Sequence, residues 1–137
     1  VCARAVGNLL LDTQIALWAV DDNPRLSTAA RALILDPSAR LFVSVASLWE
    51  IAIKHALGNR GAGAMPMSAA QARVFFLASG YSLVPVTAGQ VLTLEGLERH
   101  HDDPFDRLLV AAARTEPYRL ITHDARLAAY GATVTVV

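Results

Sequence analysis

The sequence predicts an α/β fold, a parallel sheet covered by helices on both faces, and three observations support this prediction. Short apolar runs alternate with helix-like segments along the whole chain, which is the pattern of parallel sheets. The length of 137 residues fits one domain, and a hydrophobic content of 54% argues against disorder. No internal repeat, low-complexity run or second domain interrupts the pattern. We expect an N-terminal tail over residues 1–7 and a single domain over residues 8–137.

Five short apolar runs predict buried strands. The first is typical, because its leucines are ended abruptly by Asp12. The third contains Pro85, which cannot donate a backbone hydrogen bond, so this strand is expected near an edge or an end of the sheet. The predicted strands are residues 8–11, 41–45, 81–86, 118–122 and 133–137.

Capping and helix-breaking residues delimit the helices of the first half. The segment TQIALWAV predicts a helix that ends before the turn containing Pro24. Ser27 is the expected N-cap of the next helix, which stops before Pro37. Ser47 is the expected N-cap of the third helix, which Gly58 closes. These signals predict helices over residues 13–20, 28–35 and 48–57.

Further helices are predicted in the second half. The stretch NRGAGAMPM predicts a mobile loop, and a helix opens after it at Ser68. Thr87 and Gln90 match a capping box. Asp103 and Pro104 suit the N-cap and first position of a helix that follows the polar hinge ERHHDDPFD. The predicted helices are residues 68–79, 87–97, 104–116 and 124–130.

The charge balance excludes a globally basic nucleic-acid-binding protein. Lys and Arg total 12, Asp and Glu total 12, and the net charge is zero. Contact with RNA or DNA would therefore need a local basic patch or positive charge supplied by bound metal ions. Candidates for a basic rim are Lys54, Arg60, Arg99 and Arg126, although a solvated surface explains them equally well.

The single cysteine, Cys2, cannot form an intramolecular disulfide, which favours a reducing, cytoplasmic location. No apolar stretch approaches the roughly 18–20 residues that span a bilayer, so no membrane partner is expected. The first residues, VCARAVGN, lack the apolar core of a signal peptide.

Four acidic residues border apolar runs where strands are expected to end: Asp12, Glu50, Asp106 and Asp124. Ligands of open α/β sheets gather at the carboxyl ends of the strands, so these side chains are expected at one edge. Buried acids are costly unless compensated, and a divalent cation compensates several at once. Mg²⁺ and Mn²⁺ prefer carboxylate oxygens, and such ions can clamp a phosphodiester. The chain is therefore a candidate metal-dependent phosphodiesterase.

Each acid taken singly also has a purely structural explanation. Asp12 and Asp124 could cap helices, Asp106 could complement a helix N-terminus, and Glu50 could pair with Lys54 four residues later. Their shared placement at the ligand edge favours the functional interpretation. Glu50 is the sharpest case, since its helix is expected to be mostly buried.

Other polar side chains are candidates for supporting roles. Thr13 and Thr122 flank the acids and could orient a carboxylate or a metal-bound water, or serve as ordinary capping and strand hydroxyls. Arg107 could contact phosphate, with exposure to solvent or a salt bridge to Asp103 as the alternatives. The histidines lack the spacing of a zinc site, and no phosphate loop or nucleophile elbow is present.

With these residues assembled, the chain resembles the PIN-domain ribonucleases and, more narrowly, the VapC-type toxins of bacterial toxin–antitoxin pairs. The matching segments, in family order, are LLLDTQIALW, SVASLWEIAIK, DDPFDRLLVAAA and LITHDARLAAYG. The resemblance implies a PIN-like three-layer α/β/α sandwich with a central, mostly parallel sheet of about five strands. It also implies a Mg²⁺- or Mn²⁺-dependent endoribonuclease that hydrolyses RNA phosphodiester bonds.

The resemblance also implies site residues and partners. The family's catalytic, metal-holding acids fall on Asp12, Glu50, Asp106 and Asp124. Asp103 would assist from the helix that carries Asp106. Thr122 matches a hydroxyl that often precedes the last acid by two residues. Related sequences often carry His at the position of Gln14 and a small residue at that of His123; these departures leave the substrate preference open and do not touch the acids. Homodimers and a cognate antitoxin that inserts a basic side chain are implied, with Trp18 and residues 29–35 as candidate partner surfaces.

Two other functional classes remain open at this point. One is a non-catalytic PIN-like module that binds RNA or protein, which the intact set of acids disfavours. The other is a phosphoryl-transfer or receiver domain with an acidic magnesium pocket. A dehalogenase-like phosphatase needs a second Asp at the position of Gln14, and a receiver needs a Lys at a later strand end, whereas Lys54 is the only lysine.

Overall fold

A five-stranded, all-parallel sheet forms the centre of the protein. The structure, a computed structural model, describes residues 5–58 and 64–137. The strands are β1 (Gly7–Leu11), β2 (Ala39–Ser44), β3 (Ser82–Val84), β4 (Arg119–Thr122) and β5 (Val134–Val136). Their order across the sheet is β3-β2-β1-β4-β5. The predicted α/β class with five parallel strands is confirmed, and Pro85 directly follows the edge strand β3 as expected.

Helices cover both faces of this sheet. Among the described residues they are α1 (Thr13–Val20), α2 (Thr28–Leu35), α3 (Val45–Ala56), α4 (Ala69–Ala78), α5 (Ala88–Glu95), α6 (Pro104–Thr115) and a 3-10 helix (Ala125–Tyr130). Each parallel connection needs such a crossover, because the chain must return to the same end of the sheet before the next strand begins.

The sheet separates two apolar cores, and the alternation of side chains along β1 assigns its leucines to them. Leu9 and Leu11 pack into the core that contains Ile15 of α1, whereas Leu10 packs into the core that contains Leu109 of α6. All three leucines are fully buried. Burial of a leucine side chain contributes roughly 1.5–3 kcal/mol, so both cores stabilise the sheet. The result is the three-layer α/β/α arrangement that the sequence predicted.

The strand order creates a crevice beside β1. From β1 the chain proceeds to β2 and β3 on one side, and it later returns to β4 and β5 on the other side. The connections that leave β1 and β4 therefore diverge at the carboxyl edge of the sheet, which is where open α/β sheets bind ligands. Asp12 directly follows β1, and Asp124 follows β4 after a single intervening residue.

The N-terminus of α3 differs from the prediction. Ser44, the last residue of β2, is the N-cap, and its Oγ accepts a hydrogen bond from Ala46 N at 3.0 Å. The predicted cap, Ser47, lies inside the helix and is 1% exposed. The prediction was wrong because both serines suit a cap, and Ser44 already has the extended backbone that the cap position requires. As a consequence, Glu50 lies in the second turn of α3 and not in the first.

The capping box predicted at α5 forms only in part. Gln90 N donates to Thr87 Oγ1 at 3.2 Å, but the Gln90 amide donates to the Pro85 carbonyl oxygen at 3.3 Å. A complete capping box occurs instead at α4, between Ser68 and Gln71. The last predicted helix is a 3-10 helix, Ala125–Tyr130.

The ends and the predicted loop are described in part. Residues 5 and 6 precede β1, Gly7 already belongs to it, and the rest of the predicted tail lies outside the described residues. Residues 59–63 of the loop NRGAGAMPM, with Arg60, also lie outside them. In the two described ranges, every helix is too short or too polar to cross a membrane.

The cap of α3 makes a testable prediction. Ser44→Ala is expected to lower the free energy of unfolding by about 1 kcal/mol, because the Ala46 N–H loses its acceptor. Ser47→Ala is the comparison variant: it leaves the cap in place but removes the buried hydrogen bond between Ser47 Oγ and Thr13 Oγ1, 2.9 Å apart, and the higher helix propensity of alanine offsets part of that loss. Denaturant unfolding of both variants measures the difference. Wild-type stability of Ser44→Ala would contradict the assignment of the cap.

Candidate metal centre

A pocket of about 160 Å³ opens at the carboxyl ends of β1 and β4. The residues that follow β1 and β4, one turn of α3 and the N-terminus of α6 contribute side chains to it. The structure brings together the four acids that the sequence singled out, along with the supporting acid. These are Asp12, Glu50, Asp103, Asp106 and Asp124.

Asp12 lies deepest, at the N-terminus of α1. Its Oδ1 accepts a hydrogen bond from Ile15 N at 2.7 Å, so it is also the helix cap that the structural explanation predicted. Its Oδ2 accepts a hydrogen bond from the Thr122 hydroxyl of β4 at 2.5 Å. Burial raises the pKa of Asp12, although the hydrogen bonds from Thr122 and Ile15 oppose this effect. A nearby cation would therefore stabilise its ionised form.

Glu50 projects from α3 and is only 6% exposed. Its Oε1 accepts a hydrogen bond from the Thr13 hydroxyl at 2.7 Å, and its Oε2 pairs with Lys54 Nζ at 2.6 Å. Partial burial lowers the pKa of Lys54, but the bond to Glu50 and the charges of Asp103 and Asp106 raise it above its ordinary value. The predicted pair of Glu50 with Lys54 thus forms inside the pocket and does not remove Glu50 from it.

The N-terminus of α6 contributes two acids. Asp103 caps the helix as predicted, since its Oδ1 accepts hydrogen bonds from Phe105 N at 2.8 Å and Asp106 N at 3.2 Å. Burial, followed by the negative charges of Asp103, Asp12 and Glu50, raises the pKa of Asp106 to about 7. Its oxygens accept no hydrogen bond from the described part of the chain. Asp106 is therefore the acid whose charge the pocket compensates least.

Asp124 has the opposite environment. Its Oδ1 accepts from Arg126 Nε at 3.1 Å and its Oδ2 from Arg126 Nη2 at 2.9 Å, so the guanidinium binds it with two parallel bonds. This pairing, with a further hydrogen bond from His101, holds the pKa of Asp124 well below its ordinary value. Asp124 therefore stays ionised, and Arg126, whose side chain is 72% exposed, covers it from the solvent side.

His101 lies behind the pocket and contacts two of its acids, although its sequence pattern did not single it out. It is 8% exposed, and its Nε2 lies 2.9 Å from Asp124 Oδ2 and 3.6 Å from Asp106 Oδ2. The signal in the sequence was its place in the hinge that enters α6 beside Asp103. That signal does not distinguish His101 from the adjacent His100, which is exposed and packs edge-on against Tyr130.

The structure separates the other supporting candidates. Thr13 and Thr122 each donate a hydrogen bond to a pocket carboxylate, in positions that orient Glu50 and Asp12. Arg107 is directed elsewhere, since its Nη2 donates to the Leu97 carbonyl oxygen at 3.1 Å. The Arg107 guanidinium therefore does not face the pocket, where it could contact phosphate, and it forms no salt bridge to Asp103.

The rim contains both positions where the sequence departs from related sequences. Gln14 and His123 line the pocket, and the His123 ring lies 4.8 Å from the Trp18 ring, centroid to centroid. Of the predicted basic rim, Lys54 and Arg126 contact acids of the pocket, whereas Arg99 is exposed away from its lining.

The donor set fits a hard divalent cation such as Mg²⁺ or Mn²⁺. The clustered ligands are carboxylate oxygens, which these ions prefer. Burial and, after it, repulsion from the neighbouring carboxylates raise the pKa of Asp106, and a bound cation would offset both effects. One ligand atom each from His101, Asp106 and Asp124 lies within 4.8 Å of the others, which is close enough for shared coordination.

Comparisons with known proteins agree with this fold. The structure is similar to that of VapBC2 from Rickettsia felis bound to a DNA fragment from their promoter, with a TM-score of 0.62 and 15% identity over 95% of this chain and 97% of that chain. It is similar to a toxin–antitoxin complex from Klebsiella pneumoniae, with a TM-score of 0.62 and 16% identity over 93% and 96% of the two chains. A third similar structure, VapBC-1 from nontypeable Haemophilus influenzae, has a TM-score of 0.59 and 21% identity over 90% and 91%.

Sequence comparison gives the family directly. No curated protein matches the chain. The family model described as the PIN domain, however, matches residues 9–132, a span that begins within β1, ends two residues before β5 and contains every acid of the pocket. The chain therefore belongs to the PIN domain family.

Proposed function

We propose that this protein is a Mg²⁺- or Mn²⁺-dependent endoribonuclease toxin of the VapC type, which hydrolyses RNA phosphodiester bonds in the cytoplasm and is neutralised by a cognate antitoxin. The observation that carries the proposal is the convergence of five carboxylates on one pocket of a PIN domain. The similar structures are toxin–antitoxin complexes, which supports the toxin part of the proposal.

Asp12, Glu50, Asp106 and Asp124 would hold the metal, directly or through water, and Asp103 would assist from the α6 cap. When bound, the cation supplies an activated water and stabilises the leaving oxygen of the phosphodiester. Thr122 keeps Oδ2 of Asp12 in place, and Thr13 does the same for Oε1 of Glu50. These two hydroxyls hold the carboxylates on rigid elements of the fold, so that little reorganisation is needed when the cation binds.

The pocket also suits a basic side chain from an antitoxin. It already accommodates two cationic groups of the chain itself, with Lys54 at Glu50 and Arg126 at Asp124. A guanidinium or ammonium group from a partner would relieve the same repulsion that a metal ion relieves, most effectively at Asp106. An inserted basic side chain would therefore compete directly with the metal.

A homodimer is the expected assembly, and α3 offers a surface for it. Four apolar residues recur every fourth position along one face of α3 and its C-cap: Val45, Trp49, Ile53 and the C-cap Leu57, which are 43%, 59%, 40% and 67% exposed. Trp49 also packs edge-on against Phe105 of α6, with 4.9 Å between ring centroids. A helix face this apolar is a typical contact for a second copy of the chain.

The nuclease proposal predicts metal-dependent cleavage of a mixed RNA pool by protein freed of antitoxin. Cleavage is expected with Mg²⁺ or Mn²⁺ and not with EDTA. Asp106→Asn is expected to lower the rate by at least about 100-fold, because the substitution removes a proposed metal ligand. Asp102→Asn is the matched control, since Asp102 is an exposed acid in the same hinge and lies outside the pocket lining.

The outcomes separate the candidate functions. Cleavage that survives Asp106→Asn would point to contamination or to a different site. Metal binding and RNA binding without cleavage would favour the non-catalytic binding module. A folded protein that binds no metal would overturn the metal centre itself.

Metal binding is expected to release about half a proton at pH 7 and nearly one at more acidic pH. Because the pKa of Asp106 is raised to about 7, this carboxyl is protonated below that pH and must ionise before it binds a cation. The affinity for Mn²⁺ should therefore rise as the pH increases through about 7 and level off above it. Isothermal titration calorimetry in two buffers with different ionisation enthalpies measures the proton release, and Asp106→Asn should abolish it. A proton release that persists in this variant would assign the titration to another group.

The dimer surface predicts the effect of a charge on α3. Trp49→Glu is expected to weaken dimerisation by roughly 30-fold or more, because the centre of the apolar face becomes charged. Leu92→Glu on α5, at a position 67% exposed, is the control and should leave the dimer intact. Light scattering over a concentration series measures both. A wild-type protein that is monomeric throughout, or equal effects of the two variants, would contradict this surface.

A further inference from the structure

We propose that His101 is a positioning residue, whose Nε2–H holds Asp124 beside Asp106, and that it is not a ligand of the metal. This proposal rests on the metal-binding role proposed for the pocket. It concerns a residue that distance alone would count as a third ligand, since one atom each of His101, Asp106 and Asp124 lies within 4.8 Å of the others.

The tautomer of His101 decides between ligand and donor. The backbone N–H of Asp103 donates to His101 Nδ1 at 2.9 Å. A backbone N–H can only donate, so Nδ1 presents its lone pair to Asp103 and carries no proton. In the neutral imidazole the single proton must then be on Nε2.

The proton on Nε2 has an acceptor ready. Asp124 Oδ2 lies 2.9 Å from Nε2, which is an ordinary hydrogen-bonding distance to a carboxylate. Asp106 Oδ2 lies 3.6 Å from the same nitrogen, too far for a second full bond but close enough for electrostatic attraction. If Nε2 coordinated a metal, it would have to lose its proton. Because Nδ1 accepts a hydrogen bond and also carries no proton, the ring would then be an imidazolate anion.

Asp103 couples this arrangement to the start of α6. Its backbone N–H sets the tautomer of His101, and its side chain accepts the N–H of Asp106 at 3.2 Å. The ring, the cap and the first turn of α6 are therefore connected by consecutive hydrogen bonds. Through Nε2–H the same connection extends to Asp124, at the end of β4 on the other side of the pocket.

Burial gives the hydrogen bond its importance. The side chain of His101 is 4% exposed, so water cannot readily replace its N–H at Asp124. Arg126 binds the same carboxylate from the solvent side with a largely exposed guanidinium. We infer that His101 retains Asp124 Oδ2 on the side of α6, where Asp106 lies, against the outward attraction of Arg126.

The first test reads the ring nitrogens directly. Long-range ¹H–¹⁵N NMR spectra of the full chain, assigned by comparison with His101→Gln, should show His101 as the Nε2–H tautomer. Addition of Mg²⁺, which is diamagnetic, should leave that tautomer in place while the pocket carboxylates respond. Loss of the Nε2 proton on metal addition, or an Nδ1–H tautomer before it, would overturn the proposal.

The second test uses variants and metal affinity measured by calorimetry with Mn²⁺. His101→Ala should weaken Mn²⁺ binding by about 10–100-fold, as expected for a group that orients a ligand. His101→Gln should recover part of this loss, because its amide N–H can reach the position of Nε2–H. His100→Ala, at the exposed neighbouring histidine, is the control and should bind as wild type does.

The results distinguish this proposal from the proposed function. Wild-type affinity in His101→Ala would overturn the positioning role, whereas failure of the wild-type protein to bind any divalent ion would overturn the metal centre. If the wild-type protein binds no divalent ion, or if His101→Ala does not fold, the wild-type spectrum still shows whether Nε2 carries the proton that it would donate to Asp124.

Discussion

Repulsion among the five carboxylates that converge on one pocket is the constraint that the surrounding structure must satisfy. Most of them are compensated locally. Thr122 donates to Asp12, Thr13 and Lys54 bind Glu50, and two N–H groups of α6 bind Asp103. Arg126 and His101 bind Asp124. Asp106 is compensated least. Burial and the charges of its neighbours raise its pKa, and a metal ion or a partner's basic group would offset both effects.

The sheet makes this concentration of charge possible. Because β1 and β4 are adjacent and parallel, the residues that follow them emerge at the same edge. The leucines of β1 are fully buried in two separate cores, so the strand that presents Asp12 is held from both faces. The N-termini of α1 and α6 also face this edge, where their N–H groups bind the carboxylates of Asp12 and Asp103 and favour negative charge. Core stability and the geometry of the pocket thus have a common origin.

Much of the site was predictable because its signals are local. Asp12 directly follows an apolar run, and Asp103 with Pro104 is a local start signal for a helix, so both could be placed from neighbouring residues. The errors arose where two residues were locally equivalent. Ser44 and Ser47 both suit a cap, and only the pairing of β2 with its neighbours, in which Ser44 lies opposite Val84 of β3, shows where the strand ends. Likewise, nothing local showed that Arg107 turns to the Leu97 carbonyl.

By itself, the sequence determined the α/β class and the order of strands and helices along the chain, because apolar periodicity and helix caps act over a few residues. It also placed four acids at the carboxyl edge of the sheet: Asp12, Glu50, Asp106 and Asp124. Only the tertiary structure decided how these acids are compensated. The bond from Thr122 to Asp12 joins residues far apart in the chain, and the choice of His101 over His100 depends on which ring is buried when α6 packs beside β4. Such contacts depend on distance in space, which no local pattern encodes.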